Sequence, residues 1–273
     1  MEFIFNDLFF LALLSCIFLS LLSSPLGVFL TLKKMSLMGD AISHSLLPGM
    51  AIALIFFGFS SIGFLIGGLI SGVIILILMH FLSKKTVFKD DGILAMIYLV
   101  MSSLGIIIIA KAQIKIDLMH LLFGNLLLIP IEWLWLLGFM TLLILPVFYS
   151  IRKSLSLILV DPEYSRFLKI NETKVKNIFY FLVLLVLILS FYAVGTMLAL
   201  GFMVIPAMIA KLFSKNINQQ IKTSILISIV MSFIGILVSF IYNIPTGPGI
   251  IISGGGIFIL VLIFSTVKDQ ILN

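Results

Sequence analysis

Charge is what this 273-residue chain has least of: 10% of its residues are Asp, Glu, Lys or Arg, and 62% are hydrophobic. A water-soluble domain carries about 25% charged residues, so the chain has too few to cover a surface facing water. The composition, with a mean hydropathy of +1.33, fits a solvent of lipid. Cysteine is nearly absent as well. The single one, Cys16, has no partner in the chain, which excludes an internal disulfide framework. Three catalytic patterns are missing too. Without GxxxxGK[ST] the chain cannot hydrolyse ATP through a P-loop. Without HExxH or GxSxG, the metalloprotease and serine-hydrolase readings lack their motifs. The N-terminal MEFIFND carries acids in place of a basic leader region, and no small-residue cleavage site follows, so the first apolar segment is expected to stay in the mature protein.

What the chain has in quantity is long apolar runs. Eight stand out: Leu8–Leu32, Met38–Phe59, Ile62–Leu82, Gly92–Ala110, Trp133–Tyr149, Asn177–Val194, Ile221–Tyr242 and Ile250–Val267. A helix needs about 20 apolar residues to cross about 30 Å of hydrocarbon. Two further stretches, Leu118–Ile129 and Met197–Leu212, are apolar but short, as expected for tilted, broken or re-entrant segments shielded by protein. The expected fold is all-α and polytopic, with eight to nine transmembrane helices and one or two broken segments. The whole chain, 1–273, reads as one membrane domain. If Met197–Leu212 spans and Leu118–Ile129 does not, the N-terminus lies outside. Of the 17 lysines and arginines, all but Lys111 and Lys115 then fall on the inner side. The net charge of +6 is thus a topology signal and not a nucleic-acid footprint.

The longest polar stretch, 152–176, is expected on that inner side. Within it, Asp161-Pro162-Glu163 has the order that starts a helix: a side-chain cap, a proline at the first helical position and an acid in the first turn. A short inner helix of mixed charge reads either as a docking surface for a soluble partner or as a solvated linker.

Ionisable groups within hydrocarbon are costly and by default mark function. One cluster stands out, GDAISHSLLPG at Gly39–Gly49. Asp40 and His44 are four residues apart and project from nearly the same helix face. Counting about 1.5 Å per residue from Lys34 puts them roughly 9 and 15 Å deep. A carboxylate and an imidazole on one face make half a metal site, and a two-fold dimer would complete it with four N and O ligands suited to Zn²⁺, Mn²⁺ or Fe²⁺. The other reading is that the pair bond each other or Ser43 and Ser45 and hold helices together. Pro48 and Gly49 signal a broken helix beside the pair, a setting typical of intramembrane substrate sites. His120, with Asp117 three residues before it, is a weaker second candidate. His80 reads as interfacial, Glu132 between aromatic residues as part of an interfacial belt, and Gly254–Gly256 as a close helix contact.

Four stretches together resemble the permease subunits of bacterial ABC importers for zinc, manganese and iron(II). GDAISHSLLPG resembles the family's second-helix signature. IDLMHLLFGNLL (Ile116–Leu127) is similar to its DLxxxLFGxLL stretch, and VGTMLALGFMVIPAMIAKL (Val194–Leu212) to its VGxLLxxxLxxIPAxxA region. YNIPTGPGII (Tyr242–Ile251) resembles the loop before its last helix. The resemblance implies a homodimer of permeases in the bacterial cytoplasmic (inner) membrane, a separate cytoplasmic ABC ATPase dimer and an extracytoplasmic metal-binding protein. It implies a non-enzymatic permease with no resident cofactor, a transported Zn²⁺ or Mn²⁺ held by Asp40 and His44, and an ATPase-docking element at Asp161, Pro162 and Glu163. Asp117, His120 and Asn243 are secondary pathway candidates. Set against the family it resembles, the chain has Asn243 where many members carry Asp and Asn125 where some zinc permeases do, and it lacks the family's glycine after the docking element. An ion-coupled secondary metal transporter, a permease for a metal chelate or corrinoid, and an intramembrane hydrolase using Asp40, His44 and His120 are the competing readings.

Overall fold

The computed structural model describes residues 7–33, 35, 38–58, 60–87, 90–112, 126 and 129–272. The described elements are helices: α1 (Asp7–Leu32), α2 (Met38–Ser45), α3 (Leu47–Phe57), α4 (Ser61–Lys85), α5 (Asp90–Lys111), α6 (Ile131–Val160), α7 (Pro162–Phe167), α8 (Glu172–Phe213), α9 (Ile217–Tyr242) and α10 (Thr246–Leu272). Among them, seven stretches are long and apolar enough to cross a membrane, and two shorter apolar helices, Leu47–Phe57 and Leu198–Phe213, accompany them. The all-α polytopic expectation therefore holds. Seven helices have full span length; of the eight long runs expected to span, Met38–Phe59 contains only the 11-residue Leu47–Phe57 as an apolar helix. Of the two short stretches noted in the sequence, Met197–Leu212 is the C-terminal part of α8, while nearly all of Leu118–Ile129 lies outside the described residues.

The core is organised around α8, which packs against α1, α2, α4, α6, α9 and α10. Lipid tails are as apolar as leucine, so helix association here rests on close packing instead of on escape from water. Two devices supply it. Phe29 of α1 meets Phe148 of α6 and Phe179 of α8 edge to face, with ring centroids 5.6 and 6.2 Å apart; pairs of this kind contribute about 0.5–1.5 kcal/mol each. Small residues then let backbones touch. Gly27 of α1 lies directly on the Met203 carbonyl of α8, and Gly49 of α3 and Gly67 of α4 each lie against the other's carbonyl.

The α8 helix is interrupted at Gly195, whose φ of 78° and ψ of 170° belong to a region essentially reserved for glycine. The break divides a transmembrane half, Glu172–Gly195, from the shorter Leu198–Phe213. The polar stretch 152–176 is more helical than a loop reading implies. Residues 152–160 continue α6, 162–167 form α7 and 172–176 open α8. Arg152, about two turns before the end of α6, donates to Asn218 Oδ1 at 2.9 Å and lies over the Tyr149 ring.

Candidate functional site

Met38–Phe59, read in the sequence as one segment, is two helices. α2 ends at Ser45 and α3 begins at Leu47. Pro48 causes the break: it has no N–H for the carbonyl four residues back, and its ring crowds that turn. The polar backbone around the break is served from nearby. Leu46 donates to the Ile42 and Ser43 carbonyls at 3.1 and 3.3 Å, and Ser71 of α4 sends its hydroxyl to the Ser45 carbonyl at 3.3 Å. The described helix starts at Met38. Asp40 and His44 then stand roughly 3 and 9 Å along it.

Glycine contacts hold this broken segment from three sides. Gly49 meets Gly67 on α4, Gly105 of α5 lies against Leu47 and Pro48, and Gly39 faces Leu200 just beyond the break in α8. The two interrupted segments of the bundle, α2–α3 and the Gly195 region of α8, are thus neighbours. Irregular backbone at membrane depth is tolerated only when buried in protein or lining a cavity, and this pairing meets the first condition.

Asp40 and His44 lie one turn apart on α2. The Asp40 side chain is outside the described residues, as are Asp117, His120 and Asn125. His44 is half-buried, its ring edge-on to Tyr98 of α5 with centroids 5.6 Å apart. Ser43 and Ser45 spend their hydroxyl protons on their own helix, donating to the Gly39 and Ala41 carbonyls at 2.7 and 2.6 Å. Those two hydroxyl protons are therefore not available to the Asp–His pair. Among the described residues no group of three or more His, Cys, Asp or Glu comes together. Tyr98 carries no signal in the sequence, since nothing in GILAMIYLVM distinguishes it from an ordinary apolar helix residue.

The other sequence candidates fall elsewhere. Asp161 caps α7 by accepting the Tyr164 N–H on Oδ1 at 2.9 Å; Pro162 opens the helix and Glu163 occupies its first turn. Tyr164 and Phe167 stack with ring planes 15° apart, and Phe167 is 79% exposed. The glycine missing after this element is replaced in its geometry by Lys169, whose φ is 55°. Ile170 donates to the Ser165 carbonyl and Lys169 to the Arg166 carbonyl, at 3.1 and 2.9 Å, completing the two-bond left-handed helix stop. A non-glycine residue there costs about 1–2 kcal/mol. Lys169→Gly is therefore expected to raise the melting temperature of the purified chain, and an unchanged or lower value contradicts the strain. Asn243 also adopts the left-handed conformation, closing α9, a position that tolerates asparagine well. His80 lies on α4 five residues before its end, and Glu132 in the first turn of α6.

The sequence matches the ABC 3 transport family over residues 6–265. The chain belongs to that family. Its relatives include the manganese import system permease protein ScaB of Streptococcus gordonii, 31% identical over 98% of this chain and 95% of the relative. The high-affinity zinc uptake system membrane protein ZnuB of Haemophilus influenzae is 31% identical over 94% of this chain and 97% of its own length. Among solved structures, PsaBC from Streptococcus pneumoniae in complex with Fab superposes with a TM-score of 0.82, at 26% identity, covering 94% of this chain and 91% of that one. This ABC 3 family member is accordingly a multi-pass membrane permease, and the fold shared with PsaBC spans nearly its full length.

Proposed function

We propose that the chain is the transmembrane subunit of an ATP-driven importer that carries a divalent first-row metal ion, zinc or manganese, less readily iron(II), across the bacterial cytoplasmic membrane. The observation that carries this reading is the short helix α2, which presents Asp40 and His44 one turn apart at a proline-broken segment packed against a second break in α8. Support from outside the chain comes from relatives named for manganese, zinc and chelated iron transport.

In the mechanism, two copies pair about a two-fold axis and each contributes an Asp40 carboxylate and a His44 imidazole to one ion. A partly dehydrated metal delivered by an extracytoplasmic binding protein is held there. The cytoplasmic ATPase dimer then drives the cavity open inward. An imidazole binds metal only when neutral, so uptake is expected to fall on acidification. The whole chain acts as one permease domain, and the ATPase docks on the Asp161-Pro162-Glu163 helix, where the exposed Tyr164–Phe167 pair offers apolar contact area.

The coupling role of α7 has a direct test. Removing a side-chain cap costs about 1 kcal/mol, so Asp161→Ala is expected to weaken ATPase binding roughly fivefold. Asp161→Ser, which caps as well, is expected to restore it. Equal affinities for wild type and Asp161→Ala place the docking surface elsewhere. The transport reading itself is tested in proteoliposomes by following radiolabelled manganese or zinc. Uptake that requires ATP and the partner ATPase supports the proposal, whereas uptake driven by an ion gradient alone assigns the chain to the secondary transporters.

A further inference from the structure

Beyond the metal path, the helix ends on the lysine-rich side of the bundle form a groove of about 900 Å³ between α4 and the start of α8. Its chemistry changes along its length. Val73, Ile77 and Phe81 of α4 line the deeper part, and all three also face outward, 41%, 62% and 52% exposed. Toward the helix ends, Lys85 and Lys176 are joined by the polar groups of Ser83, Thr173 and Asn177.

The cations are held in place. Lys85 Nζ lies 4.3 Å from the Phe81 ring centroid. Lys176 Nζ is 3.2 Å from Glu172, whose carboxylate also receives Arg166 Nε at 3.2 Å. Among the described residues lining the groove there is no Asp or Glu, and the nearby Glu172 is shared between two cations. The result is a positive, hydroxyl- and amide-bearing end continuous with an exposed apolar wall. That order matches a phospholipid, with an anionic headgroup at the level of the helix ends and a tail along the membrane-facing helix. Basic pockets between transmembrane helices on the cytoplasmic side suit anionic headgroups.

We infer that the α4–α8 groove is a binding site for an anionic phospholipid of the cytoplasmic leaflet, with Lys85 and Lys176 at the phosphate and Val73, Ile77 and Phe81 along the acyl chain. The lipid wedges the cytoplasmic ends of α4 and α8, the latter being the helix into which α7 leads.

The test is native mass spectrometry of the full-length chain in detergent, titrated with palmitoyl-oleoyl phosphatidylglycerol or with phosphatidylcholine of the same acyl chains. Two lysines near a headgroup predict retention of the glycerol lipid over the choline lipid by roughly tenfold. Lys85→Ala combined with Lys176→Ala is expected to erase that preference and leave phosphatidylcholine binding unchanged. Because the double variant also breaks the pair with Glu172, Lys85→Glu alone is a second probe. Lys85 is exposed, so this change preserves the fold and is expected to lower phosphatidylglycerol binding. Equal retention of the two lipids overturns the assignment, as does undiminished preference in both variants. Displacement of phosphatidylglycerol by millimolar inorganic phosphate overturns it in favour of a soluble-anion site. Disulfide formation between copies of an Ile77→Cys variant in phosphatidylglycerol vesicles overturns it in favour of a second copy of this chain as the occupant.

Discussion

Cells producing His44→Ala in place of the wild-type chain are expected to lose metal uptake by on the order of 100-fold or more. Even changes to groups that only support a metal ligand cost about 10–100-fold, and in the proposed dimer one substitution removes two nitrogens at once. Asp40→Ala is expected to match it, since two of four ligands again disappear. The loss has to be separated from misfolding, because His44 also packs against Tyr98. His44→Phe separates them. A phenyl ring keeps the edge-to-face contact, worth about 0.5–1.5 kcal/mol, but has no lone pair for a metal. Wild-type amounts of membrane-inserted His44→Phe protein with no uptake is the expected result. Normal uptake by His44→Phe assigns the histidine to packing and removes it from the metal path.

The largest structural effect is expected at Gly27. A methyl group there overlaps the Met203 carbonyl, its carbon and its Cα, all backbone atoms of α8 that cannot rotate away. Relieving the overlap means separating α1 from α8, the helix around which the bundle is built. Overpacking of a well-filled interior costs about 1–3 kcal/mol when side chains can adjust, and here they cannot. Gly27→Val is expected to give little folded protein, and Gly27→Ala a melting temperature lower than wild type by roughly 10 °C. By contrast, Gly255→Ala, where a Cβ meets nothing within 4 Å, is expected to melt like wild type. Equal melting of Gly27→Ala and Gly255→Ala contradicts the close α1–α8 contact. The run Gly254–Gly256, read in the sequence as a close helix contact, is one only at Gly254, which faces Ile205 and Met231.

The membrane fold was legible because the deficit of charge and the length of the apolar runs are bulk properties that survive any detail of packing. The α2–α3 break was legible too, since Pro48 acts locally through its missing N–H. The interruption of α8 was harder to read. Gly195 sits among Val194, Thr196 and Met197 with no proline beside it, and only tertiary packing selects its positive φ. The continuation of α6 to Val160 was hidden by Arg152 and Lys153, which read as a loop in hydropathy but are good helix formers once outside the lipid. Tyr98 had no sequence signal, because its place beside His44 depends on which face α5 turns toward α2. Lys169 shows the converse: no glycine stands after α7, yet the chain makes a left-handed turn there without one.

The central claim is that α2 holds the transported ion. It is tested most directly by purifying the chain with its partner ATPase and measuring bound metal by inductively coupled plasma mass spectrometry, for wild type and His44→Phe. About one zinc or manganese per permease pair in the wild type, absent from His44→Phe, is the predicted result and also names the cargo. Equal metal in the two proteins, or none in either while ATP-driven uptake proceeds in both, contradicts the claim and moves the site away from Asp40 and His44.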